Sequence, residues 1–103
     1  MLELFRNMKP VVKQSFLLHC TNENINFFCN CIFNVVHGQI KMTVKVSPQK
    51  LEKYASVIAV LCEKNNKIRR KRQSLASKSG IKLLQLIEPS VLNHLKKRHG
   101  LEQ

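Results

Sequence analysis

Several residue types are scarce in this sequence, and each scarcity excludes something. There is no tryptophan, and there are only one tyrosine, three glycines and three prolines among 103 residues. So little turn-forming material does not supply the many reversals of an all-β domain. The six acidic residues form no convincing pair for acid–base work, and no glycine-rich phosphate loop is present. A lone Ser, Cys or His is no nucleophile without a base and a pocket. The chain therefore reads as a non-enzyme with no cofactor. No apolar run approaches the ~20 residues that cross a bilayer, and a membrane partner is not expected. Glu3, Arg6 and Lys9 near the N-terminus do not fit a secretory signal, so the expectation is a reduced, intracellular protein.

The four cysteines (Cys20, Cys29, Cys31, Cys62) sit among apolar neighbours, where a reduced thiol behaves as a small hydrophobe. With His19, His37, His94 and His99 they invite a zinc hypothesis, which the spacing does not support. Zinc sites use ligand pairs two to four residues apart in a turn. On a helix, Cys29 and Cys31 point about 200° apart. No metal site is expected.

What the chain has in excess is positive charge. Eighteen Lys and Arg face six acids, a net charge of +12. The excess is uneven: residues 1–38 carry +1 and residues 39–103 carry +11. This divides one domain into an apolar packing half, 1–46, and a basic half, 47–103. Nucleic acid is the commonest partner of such a surface.

A hydrophobic content of 44% is ordinary for a folded protein, and its spacing is helical. The pattern predicts a short helix over 2–8, closed before Pro10, and another from Pro10 to about Cys20. Thr21 or Asn22 caps the next one, in which Ile25, Phe28, Cys29, Ile32 and Val36 form one face. Phe27, Cys31 and Val35 add a second apolar row, while Asn22, Asn26, Asn30 and Asn34 form a neutral stripe that is either simply exposed or an interhelical or subunit contact. Gly38 ends this helix. Ile40, Met42, Val44 and Val46 alternate with polar residues, which predicts an extended 39–46 connection over the core. Ser47-Pro48 starts a further helix with Leu51, Tyr54, Ala55, Ile58, Leu61 and Cys62 on its buried face. It continues, with a break at Asn65-Asn66, to Gly80. A last stretch from Ile81 is interrupted by Pro89 and ends at Gly100. The fold class is all-α, a small bundle of four to five helices.

The segment CEKNNKIRRKRQSLASK, residues 62–78, holds the feature that ordinary helices lack. Lys67, Arg69, Arg70, Lys71 and Arg72 are interrupted only by Ile68, and no acid lies between Glu63 and Glu88. A solvated helix face normally mixes signs, because like charges at i, i+4 weaken a helix. On a helix Arg69, Arg72 and Gln73 fall near one another, as do Lys67, Arg70 and Lys71. The run is expected to bind phosphates, with Lys64, Lys78 and Lys82 extending the patch. Lys96, Lys97 and Arg98 extend it further. Phosphate contacts set affinity while base-edge contacts set specificity. No helix–turn–helix reader is recognisable, and aromatic platforms are missing from this half. The expectation is non-specific binding to the nucleic-acid backbone, and the residues alone do not distinguish DNA from RNA.

The residues Asn34, Val35, Val36, Gly38 and Ile40, then Leu51, Lys53 and Tyr54, then Lys67–Arg72, Gly80 and Leu83–Ile87, together carry a resemblance. Over about residues 20–92 the chain resembles a short basic protein of adintoviruses and Polinton (Maverick) elements. There an apolar helix ending in Leu-Asn-Val-Leu-x-Gly-Asn-Ile precedes a linker, a Lys-, Leu- and Tyr-bearing helix, a basic stretch and a glycine. The resemblance implies a virion or core protein that condenses DNA, similar in role to adenovirus basic core peptides, in the host nucleus or virion. The chain departs from the pattern in having the single Gly80 in place of Gly-Gly, and a charged tail, Lys96-Lys97-Arg98-His99. In the DNA-binding reading the apolar helix 22–37 forms the core or the seam of a homo-oligomer. The alternative is a capsid-associated or scaffold protein whose residues 21–38 dock on a partner and whose basic run is a nuclear localisation signal. A sequence-specific regulator would need a recognition helix, which is not found.

Overall fold

The computed structural model describes residues 2–38 and 48–98. Within them the chain forms seven helices: α1 (Leu2–Asn7), α2 (Pro10–His19), α3 (Asn22–Val36), α4 (Pro48–Glu52), α5 (Ala55–Cys62), α6 (Ile68–Ala76) and α7 (Lys78–Arg98). There is no strand among the described residues, so the all-α class holds, with more helices than the four or five expected. The extended 39–46 connection, Ser47 as a cap, His99 and Gly100 lie outside the described residues, as do the side chains of Lys96, Lys97 and Arg98.

Local chemistry explains most boundaries. Thr21 Oγ1 accepts the backbone N–H of Asn24 at 3.1 Å, an N-cap for α3. Gly38 takes φ +75°, and its N–H reaches the Val35 carbonyl at 3.2 Å, closing α3 as glycine best can. The helix expected from Ser47-Pro48 divides at Lys53-Tyr54 into α4 and α5, because Tyr54 leaves helical geometry at φ −109°, ψ 13°. α5 stops before Asn65-Asn66, and the Asn66 amide donates to the Val60 carbonyl at 3.0 Å, satisfying one of the groups a helix end exposes.

Two boundaries differ from expectation. Gly80 does not end the basic helix. α6 ends at Ala76, and Ser77 caps α7, accepting the Gly80 N–H on its Oγ at 3.1 Å. Gly80 lies in the first turn of α7, where a Cβ would sit 2.5 Å from the Leu75 carbonyl oxygen. The glycine is needed for the close approach of the two helices. Gly80→Ala should therefore destabilise by about 1–3 kcal/mol in a urea titration, despite alanine's better helix propensity.

Pro89 does not interrupt α7 either. Its missing N–H deprives the Gln85 carbonyl of a helical partner, yet the helix continues because Ser90, Val91 and Leu92 are buried on the far side of it.

The core draws on both halves of the sequence. Phe5, Leu17, Ile25, Phe28, Ile32, Leu61, Leu75, Leu83, Leu84 and Ile87 are buried together, and α6 packs against α2, α3, α5 and α7. Phe5 stacks at a tilt on Phe16 and Phe28, with centroids 5.8 and 4.9 Å apart. Of the expected core residues, Ile25, Phe28, Cys29, Ile32 and Leu61 are buried, while Leu51, Tyr54 and Ile58 pack against the core half-buried. Val36 is 38% exposed and Ala55 is exposed. Val36 is the last residue of α3, and Ala55 is the first residue of α5.

One buried contact joins two charges. Lys13 (2% exposed) and Glu88 (4% exposed) meet at 3.1 Å between Nζ and Oε1, and the ammonium lies 5.0 Å from the Phe5 ring centroid.

Candidate nucleic-acid interface

Helix α6 sorts the cations of the basic run by direction. Ile68 and Leu75 face inward, and at 100° per residue this fixes the rest. Arg69 and Arg70 are exposed, with Lys67 exposed at the N-cap. Lys71 is half-buried and lines a groove against α3. Arg72, between Ile68 and Leu75 on the inner face, is held by protein. Its Nη1 donates to the Leu17 carbonyl at 2.9 Å and its Nη2 to Asn22 Oδ1 at 2.9 Å, with Cys20 Sγ 3.7 Å from Nη1.

Arg72 was expected among the phosphate-binding residues, and its guanidinium is engaged by protein acceptors on α2 and α3. A cation on this carbonyl in the last turn of α2, where the other donor is the weak Cys20 thiol, complements the helix dipole. The tie is reciprocal, since Gln14 of α2 donates from Nε2 to the Ala76 carbonyl of α6 at 3.1 Å. Each helix thus donates a side-chain hydrogen bond to a carbonyl in the last turn of the other. Arg72→Gln should cost about 1.5–3 kcal/mol, the range for hydrogen bonds to a charged group. A thermal melt should record that loss.

Beyond the helix, Lys64 is exposed in the α5–α6 turn, and Lys78 and Lys82 are exposed on the first turns of α7. The exposed set is thus Lys64, Lys67, Arg69, Arg70, Lys78 and Lys82. α6 is nine residues long, about 13 Å, and these cations lie on it and at both of its ends in the sequence. Neither Lys64 nor Lys71 takes part in an ion pair among the described residues.

The asparagine stripe borders this basic surface. Asn22, Asn26 and Asn30 are exposed and Asn34 is half-buried. Asn22 carries the Arg72 bond, so part of the stripe is an interhelical contact. Asn26 and Asn30 face a groove between α3 and the α5–α6 junction. Sequence reasoning did not assemble this groove, because it depends on how α3 crosses α5. The available signal was the fourfold asparagine spacing itself.

Cys29 shares that groove with Cys62, whereas Cys31 faces Leu84, Ile87 and Val91 of α7. The two α3 thiols thus serve opposite sides. All four cysteines are free. Burial pushes the Cys29 thiol up to about 11, against the opposing Lys71 charge, and the Cys31 thiol also up to about 11. Among the described residues no three His, Cys, Asp or Glu side chains group to hold a metal, and no helix is long and apolar enough to cross a membrane.

The apolar faces of residues 21–38, the expected docking surface of the scaffold alternative, are largely consumed by α5, α6 and α7. The large exposed apolar side chains lie mostly elsewhere, on α1 and α2: Leu4 is 71% and Val11 79% exposed. In comparison with known proteins, no family model, no curated protein and no solved structure matches this chain.

Proposed function

We propose that this chain is a non-enzymatic, sequence-non-specific DNA-binding protein that condenses duplex DNA, a core or virion component of a virus or mobile element. The observation that carries the binding role is the acid-free interval between Glu63 and Glu88, from which Lys64, Lys67, Arg69, Arg70, Lys78 and Lys82 project into solvent. Such a surface neutralises phosphates and releases counterions without reading bases. The assignment to a viral or element core follows from the resemblance to the basic proteins of adintoviruses and Polintons. A role in the host nucleus or the virion goes with it.

The test is equilibrium binding to two duplexes of equal length and unrelated sequence at one salt concentration. Equal affinity is expected. A preference of a hundredfold or more, about 2.7 kcal/mol, would replace this reading with that of a sequence-specific binder.

A further inference from the structure

The groove between α3 and the α5–α6 junction consists of two adjoining cavities, about 320 and 290 Å³ in volume. Asn26, Lys64 and Lys71 line both and form the waist between them. One end is polar, closed by Asn22 and Asn66. The other is bounded by Phe33, Leu61 and the two thiols Cys29 and Cys62. No acidic side chain lines either part, so the groove suits an anion. Its larger cavity has the size of small-molecule sites.

The lining has a chemistry that a solvated face does not require. Asparagine is a poor helix former, up to about 0.7 kcal/mol per residue worse than alanine, yet Asn26 and Asn30 occupy the interior of α3. Each carboxamide offers two donors and an acceptor, the complement of a base edge. Neither amide has a hydrogen-bond partner among the described residues. Phe33 supplies an aromatic surface at the apolar end and is itself held by stacking on His37, 4.0 Å between centroids. Burial raises the Cys62 thiol as it does that of Cys29, so both line the wall as neutral, weakly polar groups.

We infer that this groove takes one unstacked nucleotide, with its phosphate on Lys64 and Lys71, its base edge on Asn26 and Asn30, and its base against the Phe33–Leu61 end. The inference rests on the nucleic-acid reading above and deepens it. The outer cations hold duplex backbone, and the groove adds affinity for single strands and frayed ends. Any nucleotide source shares this chemistry, whether a strand or a free mononucleotide.

The test compares wild type with the double variant Asn26→Ala, Asn30→Ala, which keeps the fold because both sites are exposed and alanine favours the helix. Each is titrated with a short single-stranded oligonucleotide, with a duplex of equal length and with deoxyadenosine monophosphate, while alkylation of Cys62 by iodoacetamide is followed by mass spectrometry. The expected result is a loss of about tenfold in single-strand affinity in the variant, corresponding to one base-edge contact, with duplex affinity unchanged. The oligonucleotide should slow Cys62 alkylation in the wild type. Equal protection by the mononucleotide would also support the site and identify free nucleotides as a second source. Unchanged single-strand affinity in the variant, or Cys62 alkylation indifferent to the oligonucleotide, would overturn the pocket while leaving duplex binding intact. Failure of the wild type to bind duplex and single strand alike would overturn both readings.

Discussion

Replacing Lys67, Arg69 and Arg70 together by glutamine is expected to reduce the salt slope of duplex binding by about three units, one for each lost phosphate contact. The loss should be the same for every duplex sequence, because these side chains contact backbone in the proposed mode. Stability should not fall with it. All three residues are exposed at the N-terminal end of α6, where the helix dipole disfavours positive charge. Their neutralisation should leave the melting temperature unchanged or raise it slightly, the usual sign of a functional surface held against stability. Arg72→Gln is the mirror experiment, with stability lost. A triple variant that melts far below wild type would place these residues in the scaffold instead.

Glu88→Ala is expected to have the largest effect on folding. It leaves the Lys13 ammonium buried without its carboxylate, 5.0 Å from the Phe5 centroid. Breaking one side of a buried pair costs about 3–5 kcal/mol, a large share of the roughly 5–15 kcal/mol that holds a domain folded. The double replacement Lys13→Met, Glu88→Leu should be near neutral or stabilising, because removing both charges also removes their desolvation cost. Urea unfolding of the single and double variants checks both statements. A loss below about 0.5 kcal/mol for Glu88→Ala would mean that the pair behaves as a surface one.

The pH dependence has a definite sign. Burial raises the Glu88 carboxyl above its ordinary 4.5, opposed by the hydrogen bond and charge of Lys13 and by Arg6. Between the ordinary and the raised value the folded chain holds more protons than the unfolded one. The Glu88 contribution to stability is thus fully present below the unfolded value and declines as pH rises through the folded value. Glu88→Gln should remove that component of the pH profile.

The helices were largely legible in the sequence because their ends are punctuated by residues with one physical use. Pro10, Thr21, Gly38 and the Asn65-Asn66 pair each mark an end through a fixed φ, a side-chain cap or a left-handed turn. Gly80 misled because glycine also serves close approach, and only the neighbouring α6 backbone distinguishes the two uses. Pro89 misled because burial beyond it holds α7 together. The basic run was legible as a charge and not as a set of directions, since five cations in six positions offer no contrast. Yet Ile68 and Leu75 flank Arg72 on one helical face, and that spacing did carry its inward position. Lys13 gave a similar hint by sharing the face of Phe16 and Leu17. Its partner is 75 residues away, and no local pattern connects them.

The division of the cations also separates the proposed binding role from the localisation alternative. An address needs only exposed charge in a row. A grip needs several side chains to engage one polyanion at once, which leaves a thermodynamic signature. The most direct measurement is a salt titration of wild-type binding to a random-sequence duplex. With the six exposed cations Lys64, Lys67, Arg69, Arg70, Lys78 and Lys82 on phosphates, log K should fall linearly with log salt at a slope of about −5. A slope near zero, or no binding at low salt, would contradict the DNA-binding role.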